Sequence, residues 1–328
     1  MKRIPDLARR AVSGLALGLA AAAALAAVAG QAGRWSDLLD ILNEFAPFWL
    51  AAGVLAALLW LAAGRRGRAA PILALVAVVA SGALIAPEFL ARRPAPTPAV
   101  RGVETLKFIQ FNLWGRNRDA AGTAEWIARQ NADIVMLEEA YGRAQPVVNA
   151  LRAQYPYRTR CGRHLSCSTI VLSKVKPTDQ AHLAEGGLDP WTDGVSATYP
   201  SPGGPVTVVG LHLNWPWPPG LQQAQARAVA ALLAPMPKDR MILSGDFNAT
   251  PWSFSLRRQD ALFGLERRTR ALPSWPGRTW TAAGVRPPPF LPIDHVYAGK
   301  GWRTVSIQRG PLTGSDHYPI VTVLQAAR

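Results

Sequence analysis

The sequence is poor in cysteine, poor in acidic side chains, and almost without charge along much of its first hundred residues. Its 328 residues include two cysteines, Cys161 and Cys167. Neither has partners at metal-ligand spacing, which argues against a zinc site. Five residues separate them, so a small disulfide loop could close with permitted geometry. Such a loop contributes about 2 kcal/mol in the chain-entropy picture, and it would fit an oxidising compartment. Asp and Glu number 21 against 36 Lys and Arg, for a formal charge of +15. The split is +5 for residues 1–100 and +10 for 101–328. That balance suits an anionic partner such as nucleic acid, phospholipid headgroups or another phosphate ester. An Arg-rich surface without any such partner accounts for it equally well. The basic residues are scattered, with no long run, and no internal repeat is present.

The missing charge is concentrated in three stretches. Residues 11–33, 45–64 and 69–87 carry none, and each approaches the ~20 residues that cross a bilayer core. The first resembles a signal peptide, because Lys2, Arg3, Arg9 and Arg10 precede it. Its length and the two runs that follow at once favour a retained span. Lys and Arg flank the N-terminus and the second short loop (Arg65, Arg66, Arg68), whereas the first loop holds only Arg34. Positive charge marks the cytoplasmic side. The expected topology puts the N-terminus and second loop in the cytoplasm, and everything after residue 90 outside. Arg92 and Arg93 argue mildly against this and the cysteine pair for it. The spans have almost no internal charge, so they read as an anchor rather than a transport path. Alternating prolines at 94, 96 and 98 predict a semi-rigid spacer. The expected organisation is a membrane anchor over 1–92, a Pro-rich linker over 93–104 and a catalytic domain over 105–328.

From Leu106 onward, short β-rich runs alternate with helical ones. Strands are predicted at 105–111, 133–138, 168–173, 194–200, 205–213, 240–246, 293–298, 303–308 and 318–324. Helices are predicted at 119–131, 141–154, 220–234 and 252–263. The Pro-, Gly- and Trp-rich segment 271–292 reads as loop. This is an α/β pattern, and the polar residues of interest fall at strand ends, where such folds gather their chemistry.

Asn112 ends the first strand, Glu138 and Glu139 the second, His212 a Val- and Leu-rich run, and Asp246 and Asn248 another. Asp294 opens a late strand, and Asp316 and His317 precede the last. Singly, each has a bland explanation: an Asx turn, a solvated acid pair, a structural His–Asp pair. Together, oxygen ligands without a Cys or His cluster favour a hard ion, Mg²⁺ or Mn²⁺, over zinc. A hard ion, carboxylates and a His base are what phosphate-ester hydrolysis needs. His295, His164 and His182 are read as packing or surface residues. Trp215 and Trp217, just past His212, are read first as covering the rim of the core. Stacking on a base, or lying at a lipid interface, is the alternative. Trp252, Trp275 and Trp280 carry the same ambiguity.

The ordered series Phe108-Ile-Gln-Phe-Asn112-Leu, Asp133-Ile-Val-Met-Leu-Glu-Glu139, Leu211-His212-Leu, Ser244-Gly-Asp246-Phe-Asn248-Ala-Thr-Pro251, Ile293-Asp294-His295-Val and Gly314-Ser-Asp316-His317-Tyr-Pro319 resembles the endonuclease/exonuclease/phosphatase family, which includes DNase I. The resemblance spans residues 105–325. It implies a four-layer α/β sandwich of two packed mixed β-sheets flanked by helices, here preceded by three transmembrane helices. It also implies roles. Glu139 would bind the metal, with Glu138 at a position often held by Gln, Asn112 assisting and Asp316 at the metal end. Asp246 and Asn248 would position the attacking water and a phosphate oxygen. His212 would donate to the phosphate. His317 would act as general base or electrostatic partner of the phosphate, oriented by Asp294. The implied activity is a membrane-anchored, Mg²⁺- or Mn²⁺-dependent phosphoesterase outside the cytoplasm, acting on nucleic acid or phospholipid headgroups. The alternative is a catalytically silent binding module of the same fold. No protein partner is evident.

Overall fold

The computed structural model describes residues 6–91, 97–161, 167–183, 193–277 and 287–327. Lys2, Arg3, Arg92, Arg93, Pro94, Pro96, His164 and Trp280 lie outside the described residues. The chain forms two compact units. One comprises residues 1–91 with 216–220 and 249–257; the other comprises 92–215, 221–248 and 258–328.

The first unit is helical: α1 (Asp6–Gln31), α2 (Asp37–Glu44), α3 (Ala46–Ala62) and α4 (Ala69–Leu90). Two helices, α1 with its short continuation to Arg34 and α4, are long and apolar enough to cross a membrane. The pair α2 and α3, bent by 60°, meets the same test if counted as one span. Small residues form the inside of this unit. Ala16, Ala20, Ala23, Ala27, Ala56, Ala74 and Ala77 are buried. A Cβ on Gly53 would lie 3.1 Å from the Ala74 carbonyl oxygen and from the Ala77 Cβ. Close backbone approach through small residues is how helices associate in lipid. At one end, Arg66 of the α3–α4 connection pairs with Asp6 of α1, which also takes a 3.0 Å bond from Arg10. At the other end, the Asn43 amide of α2 donates to the Gly30 carbonyl at 2.9 Å.

The second unit has two six-stranded sheets. In chain order the strands are β1 (Thr105–Asn112), β2 (Ile134–Glu138), β3 (Tyr157–Arg160), β4 (Ile170–Ser173), β5 (Asp179–His182), β6 (Asp193–Tyr199), β7 (Val206–His212), β8 (Met241–Asp246), β9 (Glu266–Arg267), β10 (Asp294–Ala298), β11 (Trp302–Arg309) and β12 (Ile320–Ala326). The first sheet runs β11-β12-β1-β2-β4-β3 and the second β5-β6-β7-β8-β10-β9. Both are mixed: β1/β2 and β7/β8 are parallel, and their other neighbours antiparallel. Helices α5 (Ala120–Gln130), α6 (Gln145–Ala150), α7 (Leu221–Leu233) and the part of α8 (Phe254–Phe263) from Arg258 onward flank them. All nine predicted strands and all four predicted helices are present, although the helical part of 141–154 is mainly the short α6.

Side-chain alternation sorts each strand. On β1, Phe108 joins the core between the sheets with Met136, Val171, Val208, Ile242 and Val296. Ile109 and Phe111 face the other way, into a second core with Trp126, Ile127, Val147 and Val148 of α5 and α6. Gln110 and Asn112 therefore share the inter-sheet face with Phe108. The same parity puts Glu138 of β2, His212 of β7, Asp246 of β8 and Asp294 of β10 on that face. Parallel pairing then aligns the ends: Asn112 lies opposite Glu138, and His212 opposite Asp246. Antiparallel pairing sets Asp294 against Asp246. Polar side chains thus collect at one end of the apolar seam.

Candidate active site

Two of the strand ends, those of β2 and β8, depend on unusual backbone. Gly245 (φ 157°) precedes Asp246, and a Cβ there would fall 1.8 Å from the Leu211 carbonyl oxygen on β7, so only glycine fits. Glu139 and Asn248 are non-glycine residues with φ of 50° and 47°. Left-handed conformations at such residues cost energy and are held only when surroundings over-determine them. At Glu139 the carboxylate is held by the Gly115 N–H at 2.9 Å and the Asn112 amide at 3.2 Å. At Asn248 the backbone N–H donates to Asp246 Oδ1 and the side-chain amide to the Leu213 carbonyl, both at 2.9 Å.

These side chains converge. Asn112 Nδ2 donates to Asp246 Oδ2 at 2.9 Å as well as to Glu139, bridging two carboxylates. His317 Nδ1 meets Asp294 Oδ2 at 2.8 Å, and its Nε2 lies 3.6 Å from Asp246 Oδ2. His212 Nε2 is 3.8 Å from the same Asp246 oxygen and 3.5 Å from the Asn248 amide. All eight residues singled out in the sequence lie in the two-sheet unit. Direct contacts link seven of them, and Asp316 adjoins His317 and feels the charge of Glu139.

Burial sets the electrostatics. Burial alone would depress His317, but the Asp294 and Asp246 carboxylates raise its pKa well above the usual histidine value. Burial would raise Asp294, yet the His317 charge and hydrogen bond hold it below the usual carboxylate range. Burial and the neighbouring Asp294 push Asp246 up to about 6, against the opposing pull of His317 and His212. Burial, then the Asp294 and Asp246 charges, lifts Glu138 well above the ordinary range. Burial also raises Asp316; the His317 charge opposes this and the Glu139 charge adds to it.

The residues fit a hard divalent cation. The Asp316 Oδ1 atom is buried without a hydrogen-bond partner among the described residues, and the Glu139 charge reaches its carboxyl. Asp246, Asp294 and His317 form a second group whose ligand atoms lie within 4.8 Å of one another. His317, whose Nδ1 is engaged by Asp294 and whose charge two carboxylates favour, is a poor ligand, so the carboxylate oxygens of Glu139 and Asp316 are the better candidates; Asn112 turns its amide nitrogen to Glu139, and its Oδ1 accepts the Trp114 N–H at 2.9 Å.

Several residues that hold the site were missed in the sequence. Gln110 Nε2 bridges Glu138 Oε2 (3.1 Å) and Asp294 Oδ1 (2.7 Å). Gln222 of α7 donates to the carbonyls of Asn214, Phe247 and Asn248 at 2.7, 3.0 and 3.2 Å. Ser315 Oγ donates to the Asn112 carbonyl at 2.7 Å and accepts the His317 N–H at 3.0 Å. The run Gln222-Gln223-Ala224-Gln225 was the available signal, because three amides in one helix are unusual on a buried face.

Other expectations resolve individually. His295 is fully buried, packs edge-on against Phe247 and has Nδ1 3.1 Å from Thr269 Oγ1, so it is structural. His182 is half-buried on β5, where it continues the pairing of 179–182 with β6. Trp252 is buried and Trp275 half-buried. Trp215 and Trp217 are each 67% exposed, which overturns their reading as a cover for the core rim. Cys161 and Cys167 form a disulfide, with Cα atoms 5.6 Å apart. Asp193 accepts the Ser168 and Thr169 N–H groups at 2.8 and 2.9 Å.

The profile of the Endonuclease/Exonuclease/phosphatase family matches residues 109–317. Among solved structures, sphingomyelinase C from Streptomyces griseocarneus is 20% identical, with a TM-score of 0.50 over 68% of this chain and 100% of that one. D. rerio TDP2, complexed with a single-strand DNA product, is 16% identical, with a TM-score of 0.55 over 67% and 99%. An endonuclease/exonuclease/phosphatase from Beutenbergia cavernae is 17% identical, with a TM-score of 0.51 over 68% and 72%. At these identities the likeness is one of fold. No curated protein matches.

Proposed function

The chain belongs to the endonuclease/exonuclease/phosphatase family, and from that membership we propose a membrane-anchored phosphoesterase that hydrolyses a phosphate ester with the help of a divalent cation. The observation that carries the reading is the buried His317–Asp294 pair at 2.8 Å, with its Nε2 facing Asp246, whose carboxylate shares the Asn112 amide with Glu139. Glu139 and Asp316 would hold Mg²⁺ or Mn²⁺, with Asn112 assisting by fixing the Glu139 carboxylate through its amide; the ion when bound neutralises phosphate charge and makes water more acidic.

The protein side chains divide the remaining work. His317, charged because two carboxylates face it, presents Nε2–H to a phosphate oxygen, and Asp294 fixes its tautomer and ring orientation. That charge makes His317 the electrostatic partner of the phosphate, the second of its two expected roles. Asp246 orients the attacking water and accepts its proton, since a carboxyl poised near 6 is a usable base at neutral pH. Asn248 and His212, side by side at the β7–β8 exit, donate to the phosphate as its charge rearranges.

The apolar helices with small residues inside support anchoring. The positive-inside pattern supports an N-terminus in the cytoplasm and the catalytic unit outside. The pairing of Asp6 with Arg66 agrees with it, since the N-terminus and the α3–α4 connection then share one side. Nucleic acid and phospholipid headgroups are both consistent with a net +15 chain. The exposed Trp215 and Trp217 would serve either, by stacking on bases or by lying at headgroup level. A substrate panel on the full chain with Mg²⁺ tests the proposal: bis-p-nitrophenyl phosphate, plasmid DNA and sphingomyelin vesicles. Hydrolysis of at least one is expected. Binding without turnover of any would favour the silent-module alternative.

A further inference from the structure

The helical unit contains two segments that are remote from it in sequence, and one of them continues directly from the catalytic strand β8. Residues 249–257 follow Asn248 without a break, yet they belong to the helical unit. Their backbone amides are held by carboxylates of α2. Asp40 Oδ1 accepts the Phe254 N–H at 2.9 Å, and Asp40 Oδ2 accepts the Ser255 N–H at 2.6 Å. Glu44, one helical turn on, accepts the Thr250 N–H at 2.9 Å. A further tie comes from α4, whose Leu84 carbonyl accepts from Arg257 at 2.7 Å.

Asp40 is itself fixed. Asn43 donates to Asp40 Oδ1 at 2.8 Å and to the Gly30 carbonyl of α1 at 2.9 Å. A Cβ on Gly33 would lie 2.7 Å from the Asp40 Cα, so α1 and α2 meet at backbone distance there. Asp40 and Asn43 are 2% and 1% exposed, in a unit whose helices otherwise bury mainly alanine and glycine, with Ser81, Leu84 and Glu88 of α4. A buried carboxylate is costly unless its oxygens are satisfied. Here the donors that satisfy it are backbone amides of the segment that leaves the active site. An anchor alone needs no such group, because an apolar residue would pack α2 at lower cost.

We propose that Asp40 and Glu44 are positioning residues for the reaction: they clamp the backbone after Asn248, and so hold Asn248 in the left-handed conformation that its φ of 47° records. The activity arm rests on the function proposed above; the clamp itself does not. The helices are then part of the catalytic apparatus, and the two-sheet unit freed of them would lose the restraint on one exit of β8. The connection runs through the covalent chain from Ala249 to Asn248, so the carboxylates act at a distance from the reacting groups.

The test uses the full chain in nanodiscs, with Asp40→Ala, Asp40→Asn and Glu44→Ala compared with wild type. Hydrogen exchange at Thr250, Phe254 and Ser255 should speed up by about tenfold or more in Asp40→Ala, while the β8 amides keep their protection. With bis-p-nitrophenyl phosphate and Mg²⁺, kcat should fall by about 10- to 100-fold with KM nearly constant, the pattern of a misplaced group rather than a lost binding contact. Asp40→Asn keeps one acceptor oxygen of the two, so it should release one of the Phe254 and Ser255 amides and leave kcat between wild type and Asp40→Ala. Unchanged exchange at the three amides would overturn the clamp, as would a wild-type kcat in a variant whose amides have been released. If Asp40→Ala does not fold, Asp40→Asn and Glu44→Ala decide by the same exchange readout. A wild-type chain that hydrolyses no ester would sink the proposed function, and exchange would still decide the clamp.

Discussion

The two units of this protein bury opposite kinds of side chain. In the helical unit Leu58, Leu75 and Val79 point outward, 57–62% exposed, while alanines and glycines fill the inside. In the two-sheet unit Phe108, Ile109, Phe111, Met136 and Ile242 are fully buried. Water drives the second arrangement, since each buried large side chain gains ~1.5–3 kcal/mol on leaving it. In lipid that gain disappears, and only close packing of small residues is left to join helices. The contrast supports a membrane around one unit and water around the other, and it places the chemistry. The eight candidate site residues belong to the unit with the water-driven core, where burial raises Asp246 while Asp294 and His317 shift each other against the effect of their burial.

Substitutions can break or sharpen that contrast. The largest effects belong to the site: His317→Ala and Asp246→Ala should each lower turnover by roughly 10²–10⁴-fold, with circular dichroism unchanged. Next comes the core between the sheets. Phe108→Ala should destabilise the two-sheet unit by about 3–5 kcal/mol in denaturant unfolding. The matching truncation on the helical unit, Leu58→Ala, should cost under about 1 kcal/mol in nanodiscs, because its side chain is already outside. A large loss at Leu58 would contradict the lipid-facing assignment. The smallest effect is a pH dependence. Asp246 has a folded-state pKa of about 6, raised from 3.8, so its ionisation opposes folding. Stability from this group is present at low pH and lost as pH rises through about 6. Asp246→Asn should therefore raise the metal-free melting temperature at pH 7–8 by a few degrees, with the gain fading below about pH 4.

Much of this was legible in the sequence, and the exceptions have a common cause. The strands that the sequence did not reveal, β3, β5 and β9, all lie at sheet edges. Tyr157-Arg-Thr-Arg160 and Asp179-Gln-Ala-His182 are mostly exposed and charged or polar. An edge strand has one pairing partner and often a solvated face, so it carries no apolar alternation to read. The residues that converge in the structure were legible because strand ends announce them, with Glu139 following Asp133-Ile-Val-Met and Asp246 following Met241-Ile-Leu-Ser. Their supports were not. Gln110, Gln222 and Ser315 act across 2.7–3.2 Å contacts to residues far along the chain, and nothing local marks an amide for that work. The carboxylates of Asp40 and Glu44 were invisible for the same reason. In the sequence they were the mild acidity of a short loop, and in the structure they hold backbone more than 200 residues away.

The central claim is that Glu139, Asp246 and His317 serve one metal-assisted phosphoesterase centre. Its most direct test is a Mg²⁺ titration of bis-p-nitrophenyl phosphate hydrolysis by the full chain, started from EDTA-treated protein. The account predicts no turnover without the ion, saturable recovery as it is added, and a much weaker saturation in Glu139→Gln. Full activity in EDTA, or a Glu139→Gln titration indistinguishable from wild type, would contradict it.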